Sequence, residues 1–205
     1  MRRTTGLAVG AIGIALLLVA AAAFAQQPQR VRLRGTVEAV EGSVLSMKSR
    51  DGSELKVKLP DNVGVRDVVK YSLADVKPGN FIGVAGMPQP DGSQKALEVL
   101  VFPEAMRGTG EGHYPWDLQP NSTMTNANVE NEVEGVNGRE LTLKYKDGEK
   151  KIIVPPEAPV VTFEQGDKSE LKPGAKIFII ALKHEDGTLE AASVNVGRDG
   201  LVPPM

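Results

Sequence analysis

Apolar residues recur along this chain with period two, in short runs broken by glycine, proline and aspartate. Leu55-x-Val57-x-Leu59 is the plainest example. Such alternation marks half-buried strands. The first half predicts strands over Val31–Val40, Val44–Lys48, Leu55–Leu59, Phe81–Gly86 and Ala96–Phe102. Asp51-Gly52 and Asp91-Gly92 supply hairpin dipeptides, because both residue types tolerate the positive φ of a tight turn. Asp61–Val76 is less regular and reads as a variable segment with a short helical turn before Lys77-Pro78-Gly79. The second half predicts Val129–Val136, Glu140–Tyr145, Lys150–Val154, Ile177–Leu182 and Leu189–Val196.

The two halves are copies. Val37-x-x-Val40-x-Gly42-x-x-Leu45 matches Val133-x-x-Val136-x-Gly138-x-x-Leu141 at an offset of 96. One residue is then lost, and at 95 Lys77-Pro78-Gly79 meets Lys172-Pro173-Gly174 and Ala96-x-x-Val99-x-Val101 meets Ala191-x-x-Val194-x-Val196. Three strands, a variable segment and two more strands is the order of an OB-fold. The expectation is all-β: two tandem five-stranded OB-like barrels, residues 26–102 and 127–205, joined by a long loop, 103–126. A β-sandwich or SH3-like barrel would fit the same strands.

Residues 1–25 read as an export signal: Arg2-Arg3, an apolar run from Gly6 to Phe24, and Ala23-Phe24-Ala25 as a cleavage site. The run also reaches the roughly 20 residues a membrane-spanning helix needs, so an uncleaved inner-membrane anchor facing the periplasm is the alternative to a free periplasmic protein. Removing the segment takes away two arginines and no acid, leaving about 22 basic residues against 26 acidic ones. That balance lacks the basic footprint of a nucleic-acid binder. There is no cysteine, which excludes disulfides and thiolate chemistry.

Chemistry concentrates between the repeats. The loop holds the chain's only tryptophan, Trp116, together with His113, Tyr114 and Asp117. Its glycines and prolines, among them Gly108, Gly110, Gly112, Pro115 and Pro120, argue against a regular strand there. His113, Tyr114, Trp116 and Asp117 are the candidate ligand-binding set; packing between barrels is the competing role. Met106, His113 and Met124 form an alternative soft-metal set suited to copper, since thioether and imidazole ligands favour Cu(I). Glu130-x-Glu132-x-Glu134 would align three carboxylates on one strand face. A solvated face is the simpler reading, because no glycine-turn calcium loop accompanies them. No G-x-S-x-G, H-E-x-x-H or phosphate-cradling glycine loop occurs.

The runs G-T-V-E-A-V-E-G, V-K-P-G and D-G-S-Q-K-A-L-E-V, with G-E-G-H-Y-P-W-D-L between the repeats, resemble bacterial exported OB-fold families of unknown function, of an alphaproteobacterial type. The resemblance implies fold rather than activity. Met106, His113, Trp116 and Met124 are similar in type to the ligands of periplasmic copper chaperones, whose N-W-P-E-M-T-M-like run is absent here. Lys183-His184-Glu185 is similar to the attachment run of OB-fold haem chaperones, but lacks the tyrosine that follows it there. His184 reads instead as part of a hairpin mouth. The resulting expectation is a non-enzymatic binding or scaffolding protein of the cell envelope, with an envelope protein or small ligand as partner.

Overall fold

The computed structural model describes residues 28–135 and 138–205. The expected export segment, 1–25, lies outside them. The described chain is all-β, with strands β1 (Gln29–Glu41), β2 (Val44–Ser49), β3 (Glu54–Lys58), β4 (Gly64–Lys70), β5 (Phe81–Pro88), β6 (Gln94–Val101), β7 (Gly112–Pro115), β8 (Thr123–Gly135), β9 (Gly138–Tyr145), β10 (Gly148–Val154), β11 (Val160–Gln165), β12 (Lys176–Lys183) and β13 (Leu189–Gly197). Short 3₁₀ turns complete the described structure. Among the described residues no helix is long and apolar enough to cross a membrane.

Hydrogen bonding closes two five-strand circuits. In the first, β1 pairs β2, β2 pairs β3, and β3 lies parallel to β13 through Val57–Leu189 and Lys58–Glu190. Strand β13 then pairs β12, which returns to β1. In the second, β8, β9 and β10 follow one another, and β10 lies parallel to β6 through Ile152–Gln94. Strand β6 pairs β5, which returns to β8. Each interior is aliphatic: Leu45, Met47, Val57, Ile177 and Ile179 in one, Ile82, Val99, Leu141, Leu143 and Ile152 in the other. Each such fully buried side chain contributes about 1.5–3 kcal/mol relative to exposure.

The strands that share a circuit are not those that share a repeat. Strands β1–β3 of the first copy close with β12 and β13 of the second; β8–β10 of the second close with β5 and β6 of the first. The cause lies in the variable segments. Each holds a strand, β4 or β11, where the sequence reading expected irregular chain, and that strand carries the backbone across to the other circuit. Strand β4 lies parallel to β13 and antiparallel to β11, which lies parallel to β6. The helical turn expected in the first segment follows as Leu73–Asp75, capped by Ser72, and the second segment holds its counterpart, Lys168–Glu170, capped by Asp167.

The repeat is also shifted in its first strand. Val37 pairs Met47 just before a bulge in β1, and Val129 pairs Leu143 just before the equivalent bulge in β8. Val37 therefore corresponds to Val129, which is buried, rather than to Val133, which is 51% exposed. The hairpin of the second copy is longer, so matching its turn glycine displaced the strand before it.

Candidate functional site

The outer faces of the two circuits confront each other around β4 and β11, forming a third apolar cluster from Val68, Leu100, Val161, Phe163, Phe178 and Met205. Beside it lies a cavity of about 500 Å³. That is within the roughly 300–1,000 Å³ usual for small-ligand sites. One wall belongs to the first circuit, with Phe178, Ile180, Ser193 and Asn195 on β12 and β13. The other belongs to the second, with Glu98 and Leu100 on β6 and Met124 and Asn126 on β8. These walls are repeat counterparts: Ser193 corresponds to Glu98 and Asn195 to Leu100. Phe178 corresponds to Gly83, where a Cβ would stand 2.6 Å from Asn126 Oδ1 and 3.1 Å from the Phe102 ring. The missing side chain lets Asn126 and Phe102 occupy the space that its counterpart's phenyl fills opposite.

The inter-repeat segment forms the roof. The expectation of irregular chain there needs correction: Gly112–Pro115 forms strand β7, paired with Thr123–Asn126. The strand sits at a sheet edge, where Pro115 removes no ladder bond. Its tip is braced through Ser122, whose hydroxyl accepts from the Gln119 N–H at 3.1 Å and lies 2.8 Å and 3.1 Å from the carbonyls of Gln119 and Trp116. Asn121, at φ 64, turns the chain. Alternation along β7 then separates the predicted residues. Tyr114 and Trp116 line the cavity, edge to face with centroids 6.2 Å apart.

His113 points the other way. Its Nδ1 is 2.8 Å from Thr125 Oγ1 and its ring stacks on Tyr145 at 6.5 Å. Burial, with the nearby Lys150 charge, holds its pKa below the ordinary value. Met106 and Met124 both line the cavity, so the structure brings the two methionines of the soft-metal set together without the histidine. Among the described residues no group of three or more histidines and carboxylates is placed to hold a metal.

Asp117 lies at the rim. Arg34 donates to its Oδ1 at 2.7 Å and Arg32 approaches at 3.6 Å. Burial opposes its ionisation, but the Arg34 hydrogen bond and the two guanidinium charges outweigh that and hold the carboxyl below its usual range. The Arg32 guanidinium also stands 3.9 Å from the centre of the Trp116 ring. Arg34 Nε donates to the Met205 backbone oxygen at 2.6 Å and Arg50 to that of Pro203 at 3.0 Å, which anchors a segment whose Met205 lines the cavity.

Sequence reasoning missed Glu98. It is 1% exposed, and burial pushes its carboxyl up to about 8 against the pull of Arg34 and Arg50. Its Oε2 has no hydrogen-bond partner in the protein; nor do Trp116 Nε1 and Asn195 Oδ1, buried atoms of two other residues that line the same cavity. The available signal was a glutamate on the outward step of an otherwise apolar strand, A-L-E-V-L-V-F, where Leu100 two residues on is apolar as well.

The other sequence candidates fall elsewhere. Glu130 sits at the β8 bulge and pairs with Lys144 at 3.0 Å; Glu132 pairs with Arg139 at 3.4 Å. The bulge breaks the alignment expected of the carboxylates, and the side chain of Glu134 is outside the described part. His184 is in the β12–β13 hairpin, its N–H donating to the Thr188 carbonyl at 2.9 Å. Compared with known proteins, the chain matches no family model, no curated protein and no solved structure.

Proposed function

We propose that this is a non-enzymatic periplasmic protein that binds a small ligand in the cavity between two OB-like barrels built from exchanged strands. One observation carries the reading: three residues that line one cavity, Glu98, Trp116 and Asn195, each hold a buried polar atom without a partner, Oε2, Nε1 and Oδ1 respectively. A buried polar group left unpaired costs about 1–3 kcal/mol, so three in one place suit a site completed by something else. Around them Leu100, Phe102, Phe163, Phe178, Met106 and Met124 offer apolar surface. No histidine stands among the described lining residues to act as a base. The export reading rests on residues 1–25 of the sequence.

The test uses Nile red, a neutral dye that brightens in apolar surroundings. The mature protein should bind it saturably at one site, with a change in Trp116 emission, and Ser193→Phe, which fills the cavity, should remove both signals. Non-saturable binding, or binding indifferent to Ser193→Phe, would sink the cavity reading.

A further inference from the structure

Polar and charged groups around the cavity are lopsided. Trp116 Nε1 can only donate. Glu98, its carboxyl pushed up to about 8 by burial, carries its proton at neutral pH and also presents a donor. The Tyr114 hydroxyl accepts from Asn126 at 3.2 Å, which leaves its own hydrogen to give. Of the unpartnered atoms in these lining residues, Asn195 Oδ1 is the one that can only accept.

Charge leans the same way. Arg30, Arg32 and Arg66 line the cavity, and the charges of Arg34 and Arg50 act on Glu98. The carboxylate at the rim, Asp117, is already shared by Arg32 and Arg34. Among the described residues, Arg30 and Arg66 have no ion-pair partner. Arg66 extends over the Phe163 ring at 5.9 Å, an aromatic surface of the same cavity, while Arg30 is exposed. A cavity with a donor surplus, uncommitted guanidinium groups and an aromatic floor suits negative charge on an apolar frame.

We propose that the ligand is an organic anion, with an apolar body on Leu100, Phe163 and Phe178 and an oxyanion head that pairs with one of the two uncommitted guanidinium groups lining the cavity, Arg30 or Arg66. The proposal rests on the cavity reading above and deepens it. A guanidinium fork meets a carboxylate through two parallel N–H···O bonds, which a neutral alcohol cannot reproduce.

The experiment is competition against bound Nile red, followed also by Trp116 emission, with two matched series. Dodecanoate, dodecanol and dodecyltrimethylammonium share a flexible body; 2-naphthoate, 2-naphthol and 2-naphthylmethylammonium share a flat one. In at least one series the anion should compete about ten-fold or more better than its neutral analogue, and the cation worst. The series that obeys tells a chain-bearing anion from a ring-bearing one. Arg30→Gln combined with Arg66→Gln should cut anion affinity about ten-fold more than it changes Nile red affinity. Equal or better competition by the alcohol or ammonium compounds would overturn the anion proposal with the cavity reading intact. So would a double variant that binds the anions as wild type does. If Nile red itself shows no saturable site, both fall.

Discussion

Val68 and Phe163 lie directly opposite each other in the antiparallel β4–β11 pair, and each is the other's counterpart in the repeat. Their neighbours obey the same rule: Arg66 pairs Gln165, and the counterparts of those two, Val161 and Lys70, also pair. A local two-fold axis therefore passes between Val68 and Phe163, and both side chains feed the apolar cluster that separates the circuits.

Phe163→Ala should therefore loosen the contact between circuits rather than either interior. The ring meets Phe102 at 6.3 Å and carries Arg66 above it. Truncation should cost about 3 kcal/mol in urea unfolding, and combined with Val68→Ala the two effects should not add. A loss below about 1 kcal/mol, additive with Val68→Ala, would mean the two residues do not share a packed contact.

Glu98 gives a pH dependence whose sign is fixed. Its ordinary value is 4.5 and burial raises it to about 8, so between those limits the folded protein holds a proton that the unfolded chain releases. Stability contributed by this group is greatest below about pH 4.5, declines as pH rises to about 8, and is level beyond, with a total change on the order of a few kcal/mol. Glu98→Gln should flatten that decline, so its advantage in Tm over wild type should be larger at pH 8 than at pH 5. Equal differences at both pH values would show that the carboxyl is not held neutral.

Asp67 is fully buried, and Arg198 reaches its Oδ2 with Nε at 3.0 Å and Nη2 at 2.6 Å, while also bonding Glu164. Removing the cation leaves a buried carboxylate uncompensated. Arg198→Met should lower Tm more than Asp67→Asn does, and the double variant should recover part of the loss. The reverse ranking would place the value of the pair in Asp67's packing instead.

Pairing also predicts which pieces of the chain fold. Residues 71–162 contain β5, β6 and β8–β10, a whole circuit, with Tyr71, Leu73 and Val160 packed against its core. That fragment should unfold cooperatively in denaturant. Residues 103–205, the second sequence repeat with the segment before it, hold β8–β10 without β5 and β6, and β12–β13 without β1–β3. Cooperative unfolding of 103–205 as a monomer would show that a repeat can close on itself and that the exchange is a choice of the full chain.

The local code was legible. Period-two alternation placed the strands of both interiors, and the Asp-Gly pairs marked hairpins where Gly52, Gly92 and Gly187 adopt positive φ. Partnership was not legible, because β5 and β12 are copies whose interior residues suit either set of first strands. The β7 strand was hidden by its glycines and proline, which an edge position tolerates. At the site, Tyr114 and Trp116 stood out by rarity. Glu98 is one of 26 acidic residues and became visible only through its burial. His113 sits beside Tyr114 in sequence, yet one step along an edge strand turns it to the opposite side.

Facing walls that descend from the same repeat unit carry a further implication. In a two-fold assembly of identical chains, any residue chosen for one wall is imposed on its mirror image. A single chain bearing both copies lifts that constraint, and here the mirror positions have parted: glutamate faces serine, leucine faces asparagine, and phenylalanine stands where its twin is glycine. Symmetry is kept where it builds the frame and abandoned where a guest would touch it. A lopsided molecule entering this space would meet one productive orientation rather than two equivalent ones.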